Sequence, residues 1–243
     1  MLMEKYIEYL KNNTELSENT VSSYQYDIDG FLLYCKNDEK ISVTKETLTA
    51  YIIHLKNSGR SMATILRFVS AMKNFTKYLN ESGKIDFNPC EDIKVPKIER
   101  KTSDGKLSAG EIGLLLSSIK KESLKGMRDY AMICLAASSG IRASEITELD
   151  IGNFNEQDML IEVIKNGCKQ FHPLSDEVFY AIEKYVRSCR PLIVSENECA
   201  LFVNTNGKRM TRQGFWKIIR MYKEKTTIKS SVTPRSIRYS LPG

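Results

Sequence analysis

The stretch Ser139-Gly140-Ile141-Arg142-Ala143-Ser144-Glu145-Ile146-Thr147-Glu148-Leu149-Asp150 decides how this chain is read. Just before it, Tyr130, Ala131, Ile133, Cys134, Leu135 and Ala136 follow one another with few charges, the pattern of a helix packed on most sides. Gly140 breaks that helix, and Ser139 or Ser144 can cap the next one. Ile146 and Leu149 then resume apolar spacing at i, i+3. Arg142 therefore stands at a helix start backed by hydrophobic core. Backbone N–H groups, a positive dipole end and a permanent cation together suit a phosphate. An ion pair with Glu145 or Glu148 at helical spacing is the other use of the same arginine.

Composition narrows the classes around this stretch. The chain has 243 residues, enough for one large or two ordinary domains. Hydrophobic residues at 42% and charged residues at 27% fit a soluble globular protein. No apolar run approaches the ~18 residues of a membrane span, and Met1 to Tyr6 lack the apolar core of a leader. Six cysteines (Cys35, Cys90, Cys134, Cys168, Cys189 and Cys199) include no C-x-x-C pair, and the two histidines are too few for a usual zinc site. Reduced thiols in a cytoplasm are expected, with no metal.

Charge is unevenly placed. Residues 1–100 carry 14 basic and 14 acidic residues, whereas residues 201–243 carry ten basic residues and one acidic residue, Glu224. So dense a basic block points to a polyanion partner, against the plainer reading of a solvated basic face.

The N-terminal part reads as a helical bundle. A short amphipathic helix covers 3–13. Ser17 or Asn19 caps a second helix, with Val21, Tyr24, Ile28, Phe31 and Leu32 inward. Thr44 opens a third, stopped by Gly59, and Ser61 a fourth, stopped by Gly83. The fourth has a second face on which Arg60, Thr64, Arg67 and Asn74 recur, with Lys73 and Lys77 alongside. Arginine and lysine there suit phosphates; an ordinary wet face is the alternative. Residues 97–106 are charged and aperiodic, so the chain divides into domain 1–98, linker 99–106 and domain 107–243.

In the second domain Ser108 and Glu111 form a capping box. After Asp150 the period becomes alternating, and Asn166-Gly167 signals a two-residue hairpin between strands near 159–165 and 168–173. Lys165 precedes that turn and Lys169 follows it. His172 and His54 read as structural. Ser175 caps a helix that Pro191 is expected to end. Thr211 caps another, with Phe215, Trp216, Ile219 and Tyr222 taken as core. Thr233-Pro234 opens the last helix.

Several of these segments together resemble the tyrosine recombinases, or phage integrases. Gly140, Arg142, Ser144, Glu145 and Leu149 match that family's first arginine box, T-G-x-R-x-S-E-x-x-x-L, with Ser139 in place of threonine. The segment from Thr64 to Leu79 resembles its helical, SAM-like core-binding domain, as does the exit from Phe87 to Lys97. Thr233, Pro234 and Arg238 match the second box, T-P-H-x-x-R-H, where Arg235 replaces histidine and Tyr239 its neighbour.

The resemblance implies a mainly α fold: a helical core-binding bundle, then a mostly helical catalytic domain with a small antiparallel sheet. It implies a site-specific recombinase that binds double-stranded DNA, associates into a tetrameric synapse, and cleaves through a 3′-phosphotyrosyl intermediate without cofactor. Arg142 and Arg238 would clamp the phosphate, and Lys165, with Lys169 as alternative, would protonate the leaving oxygen. Arg235 is a doubtful substitute for the acid/base histidine, because arginine stays protonated. Arg60, Thr64, Arg67, Lys73, Lys77 and Arg212 would hold DNA. The family's nucleophilic tyrosine finds no match in the chain. Tyr239 sits beside Arg238, ~100° away on a helix, and Tyr222 reads as core. The expectation is a chain that binds duplex without cleaving it alone, or else a non-catalytic regulator on the same scaffold.

Overall fold

The computed structural model describes residues 2–13, 16–35, 43–91, 93, 106–165, 167–238 and 240. The chain forms two compact units, residues 1–100 and 101–243. The segment expected as linker, 99–106, lies outside the described residues apart from Lys106. So do Asn166 and Tyr239.

The first unit is α1 (Leu2–Asn13), α2 (Glu18–Tyr34), α3 (Lys45–Asn57) and α4 (Met62–Glu81). Three of the four helix starts are local side-chain events. Ser17 accepts from the Thr20 N–H, Thr44 from Thr47, and Ser61 from Thr64. The inward stripe of α4 (Phe68, Val69, Met72, Phe75 and Leu79) packs with Ile28 and Phe31 of α2 and Tyr6 and Leu10 of α1. The exposed His54 lies against the Tyr34 and Tyr51 rings.

The second unit is built on α6 (Leu124–Ser139), which is buried from Gly126 to Ser138 except at the half-exposed Met127. Around it lie α5 (Ala109–Ser117), α7 (Ala143–Glu148), α10 (Arg212–Lys223) and α11 (Pro234–Ile237). The Ser108–Glu111 capping box is present, and Glu111 also accepts from Ser230. A three-stranded antiparallel sheet joins β1 (Phe154–Asn155), β2 (Leu160–Lys165) and β3 (Cys168–Pro173). Lys165 pairs with Cys168 across the hairpin, and Gly167 takes φ +77°. The two-residue β1 is too short to show in an alternation pattern.

The helix after Ser175 departs from expectation. It runs through α8 (Asp176–Lys184), a π turn (Tyr185–Cys189) and α9 (Arg190–Ile193), so Pro191 lies inside it rather than ending it. Proline has no N–H to give the carbonyl four residues back. The wider π turn just before it is where the bonding register changes.

Two ion pairs hold the second unit together. Arg128 donates twice to Asp129 and once to the Val203 carbonyl, and Tyr222 donates to the other Asp129 oxygen at 3.0 Å. Arg209 bonds the Thr147 and Leu149 carbonyls and the Asp150 carboxylate. This arginine of the basic block is thus turned inward.

The second pair should give stability a defined pH dependence. The Arg209 guanidinium holds the Asp150 carboxyl below its usual range, opposed by partial burial and helped by Cys199. A carboxyl whose folded pKa lies below its unfolded value stabilises the fold above that unfolded value, about 4, and loses the contribution as pH falls through the lower folded pKa. Asp150→Asn is expected to lower the denaturation midpoint at neutral pH. Its gap from the native chain should close below about pH 4. A gap unchanged into strong acid would rule out the carboxylate charge as its source.

Candidate nucleic-acid interface

The site begins where α6 ends. Gly140 takes φ +67°, a left-handed conformation that turns the chain out of the core at little cost only for glycine. Ile141 is buried, and Arg142 follows as the N-cap residue of α7. Neither serine expected as the cap plays that part. The Ser139 hydroxyl donates back to the Leu135 carbonyl inside α6, and Ser144 lies within α7. Glu145 does the capping. It accepts from the Arg142 N–H at 2.7 Å and from the Arg142 guanidinium at 3.0 Å. The i, i+3 ion pair therefore exists, and it leaves the Arg142 side chain 54% exposed.

A cleft of about 610 Å³ opens beside Arg142. Three short segments line it: Arg142 to Ser144; Arg212 and Trp216 from the first turns of α10; and Thr233, Pro234, Arg235 and Arg238 around α11. Thr211 caps α10 by accepting from the Gly214 N–H, and Thr233 caps α11 by accepting from the Ser236 N–H. Four arginines thus line one cleft, and among the described residues no carboxylate lines it, although Glu145 pairs with Arg142 at its edge. The six-residue α7 adds little as a dipole; the fixed charges dominate.

Trp216 is not core. It is 41% exposed and lines the cleft. The buried stripe of α10 is Phe215, Ile219 and Tyr222, at i, i+4, i+7, and Trp216 stands ~100° off it. That offset was readable from spacing alone. Tyr222 is buried, as expected. Burial and the neighbouring Asp129 charge push its hydroxyl far above the usual phenol range.

The hairpin lysines are not among the residues lining the cleft. Lys169 is ion-paired to Glu162 at 3.0 Å across the strands, whereas Lys165 has no ion pair among the described residues. In the first unit Arg60, Arg67 and Lys77 are exposed, and Thr64 and Lys73 are half-buried. Lys77 lies 3.7 Å from Glu81. Arg67 is forked onto Asp27, a buried carboxylate that the sequence did not mark as part of this surface.

Residues 106–241 match the Phage integrase family, and residues 3–83 match the Phage integrase N-terminal SAM-like domain. The chain belongs to this family, the tyrosine recombinases. A Caldanaerobacter subterraneus subsp. tengcongensis protein carrying the tyrosine recombinase name is 37% identical over 97% of this chain and 81% of its own length. The tyrosine recombinase XerD of Oceanobacillus iheyensis is 32% identical over 98% of this chain and 82% of its own. A crystal structure of a lambda integrase dimer bound to a COC′ core site shares the fold, with TM-score 0.75 at 14% identity over 98% of this chain and 86% of that one. Among the described residues no helix is long and apolar enough to cross a membrane.

Removing the cap should be measurable by itself. Glu145→Ala deletes the acceptor of the Arg142 N–H and is expected to destabilise the fold by about 1 kcal/mol. Glu145→Gln, which still accepts, should recover most of that in denaturant titration. Equal losses in both variants would assign the effect to the ion pair instead.

Proposed function

We propose that this chain is a site-specific recombinase of the tyrosine type, whose ligand is duplex DNA. The observation that carries the reading is the convergence of Arg142, Arg212, Arg235 and Arg238 on one cleft without a lining carboxylate. A guanidinium fork matches two phosphate oxygens, and fixed donors stabilise the charge that grows on them in the transition state. In this reading Arg142 and Arg238 hold the non-bridging oxygens of the scissile phosphate. Arg235 adds a hydrogen bond but takes no proton. Lys165 protonates the 5′ oxygen as it leaves, since Lys169 is already engaged with Glu162. A tyrosine hydroxyl loses its proton to water as its oxygen attacks phosphorus, the bond to the 5′ oxygen breaks, and a 3′-phosphotyrosyl link forms. The link conserves the bond energy, so the freed 5′ hydroxyl can rejoin the strand without ATP or metal.

Arg212 and the α4 surface (Arg60, Thr64, Arg67, Lys73 and Lys77) hold the flanking DNA in this proposal. Self-association on DNA is part of it, supported by the dimeric lambda integrase complex of the same fold.

We further propose that the 243-residue chain by itself binds without forming the covalent link. No tyrosine among the described residues lines the cleft. Tyr222 is buried on Asp129, Tyr130 donates to Glu177, and Tyr185 accepts from the Val203 N–H. The same inventory, with Arg235 at the histidine position, favours as a second reading a DNA-binding accessory protein on this scaffold.

Two measurements test this. Arg142→Ala is expected to weaken duplex binding and reduce the slope of log affinity against log salt by about 0.9, the loss of one phosphate contact. Unchanged affinity and slope would remove Arg142 from the interface. A nicked suicide substrate, which cannot religate, should stay unlinked under denaturing electrophoresis, and a tyrosyl adduct from this chain alone would refute the binding-only reading. Linkage when a tyrosine-bearing family protein is added, lost with Arg142→Ala, would favour the recombinase over the accessory protein.

A further inference from the structure

Among the cationic side chains of the first unit, Arg67 is held differently from the rest. Its Nε donates to Asp27 Oδ2 at 2.8 Å and its Nη2 to Oδ1 at 2.9 Å, a two-point fork between α4 and α2. The Asp27 side chain is 5% exposed and the Arg67 side chain 42% exposed. The carboxylate is therefore inside the fold while the guanidinium reaches out of it. A buried carboxylate bonded through both oxygens fixes the guanidinium plane. It also occupies only the Nε side of the group. Nη1, and the outward hydrogen of Nη2, form a second edge with no hydrogen-bond partner among the described residues. That edge is a pair of parallel donors at fixed spacing.

Such an edge can fork onto two phosphate oxygens or onto two acceptors of a base. A phosphate can be met from many angles, so it does not require the guanidinium plane to be fixed beforehand. A pre-aligned pair is matched by two acceptors side by side in one plane. In the major groove of DNA, guanine offers this through O6 and N7. Arg60 and Thr64 precede Arg67 in the chain, and all three line one depression whose acidic residues are Asp27 and the exposed Asp29 of α2; along α4 itself no acidic residue precedes Glu81. Asp27 removes rotamer freedom that binding would otherwise freeze, and the donor-only edge of Arg67 that it fixes is mismatched to a base presenting a donor at the same spot.

We propose that Arg67, aligned by Asp27, reads a guanine base edge and sets sequence preference at one position of the target site. This rests on the duplex-binding reading above, with Arg67 as the residue that specifies sequence and Asp27 as its positioning residue.

The experiment is selection of the full-length chain on a library of randomised duplexes, then affinity measurements on the selected site with each base pair replaced in turn. The native chain is expected to select a G·C pair at one position, with other pairs there weaker by roughly 10- to 100-fold. Arg67→Lys keeps the charge and an ion pair to Asp27 but loses the fork. It should abolish the preference at that position alone and leave the salt slope unchanged. Asp27→Asn should weaken the same preference without moving it elsewhere. A thermal melt identifies any variant that has merely unfolded, and the lysine variant then decides. If Arg67→Lys weakens all sequences equally, or leaves the guanine preference intact, the assignment is overturned while duplex binding stands. Native binding with no base preference overturns it too. Failure of the native chain to bind any duplex overturns the functional reading and this inference with it.

Discussion

The second unit depends on a charge pair inside its central helix. Arg128 and Asp129 are adjacent in α6 and 4% and 1% exposed. Burying either ion alone would cost several kcal/mol, so each must be satisfied from outside the helix as well as by its neighbour. Arg128 reaches the Val203 carbonyl, and Asp129 receives the Tyr222 hydroxyl from α10. Burial pushes the Asp129 carboxyl upward, while Arg128 and Tyr222 pull the other way. The pair adds specificity of arrangement more than net stability. α10 can satisfy Asp129 only in the rotation that buries Tyr222, and that rotation carries Trp216 and Arg212, at its other end, to the cleft.

The same helix sets the remaining walls. Because α6 is buried to its last turn, the chain must leave it abruptly, and the left-handed Gly140 provides the exit. Arg142 then emerges within three residues of the core. α11 packs on α6, tied at its far side by the Leu107 N–H to the Ser236 carbonyl. The cleft is thus assembled from segment ends anchored by one buried element. Four guanidinium groups facing one volume repel each other. A fold that keeps them there is stabilised by whatever polyanion neutralises them, and binding relieves a repulsion already present.

Much of this was legible in the sequence because the signals are local. Caps at Ser17, Thr44, Ser61, Ser108 and Thr233, the Gly140 break and the Asn166-Gly167 turn each depend on a few neighbouring residues. What escaped were partnerships across the fold. Nothing near Arg67 in the chain points to Asp27, forty residues earlier. Nothing near Arg209 points to Asp150, so a basic block counted as uniformly outward contains one structural arginine. The capping reading at Ser139 failed on position: Ser139 ends α6 three residues before the α7 N-cap, and its hydroxyl accepts from the Ile141 N–H while donating to the Leu135 carbonyl. Trp216 was misread for its size, when its angular offset from the Phe215–Ile219–Tyr222 stripe was the better guide.

Arg235 changes how the chemistry must be divided. A histidine beside the scissile phosphate can both stabilise charge and pass a proton; an arginine does only the first. In the proposed mechanism, proton transfer to the leaving oxygen is therefore assigned to a group on another element, the hairpin lysine. The hairpin is built unlike the cleft. β2 is anchored by buried Ile161 and Val163, whereas β3 is exposed along most of its length and pairs only with β2. The tip bearing Lys165 is therefore held by one ladder of hydrogen bonds, not by a core. Fixed charge thus sits on packed segment ends, while the hairpin lysine of the proposed mechanism sits on an element whose outer strand has little core beneath it.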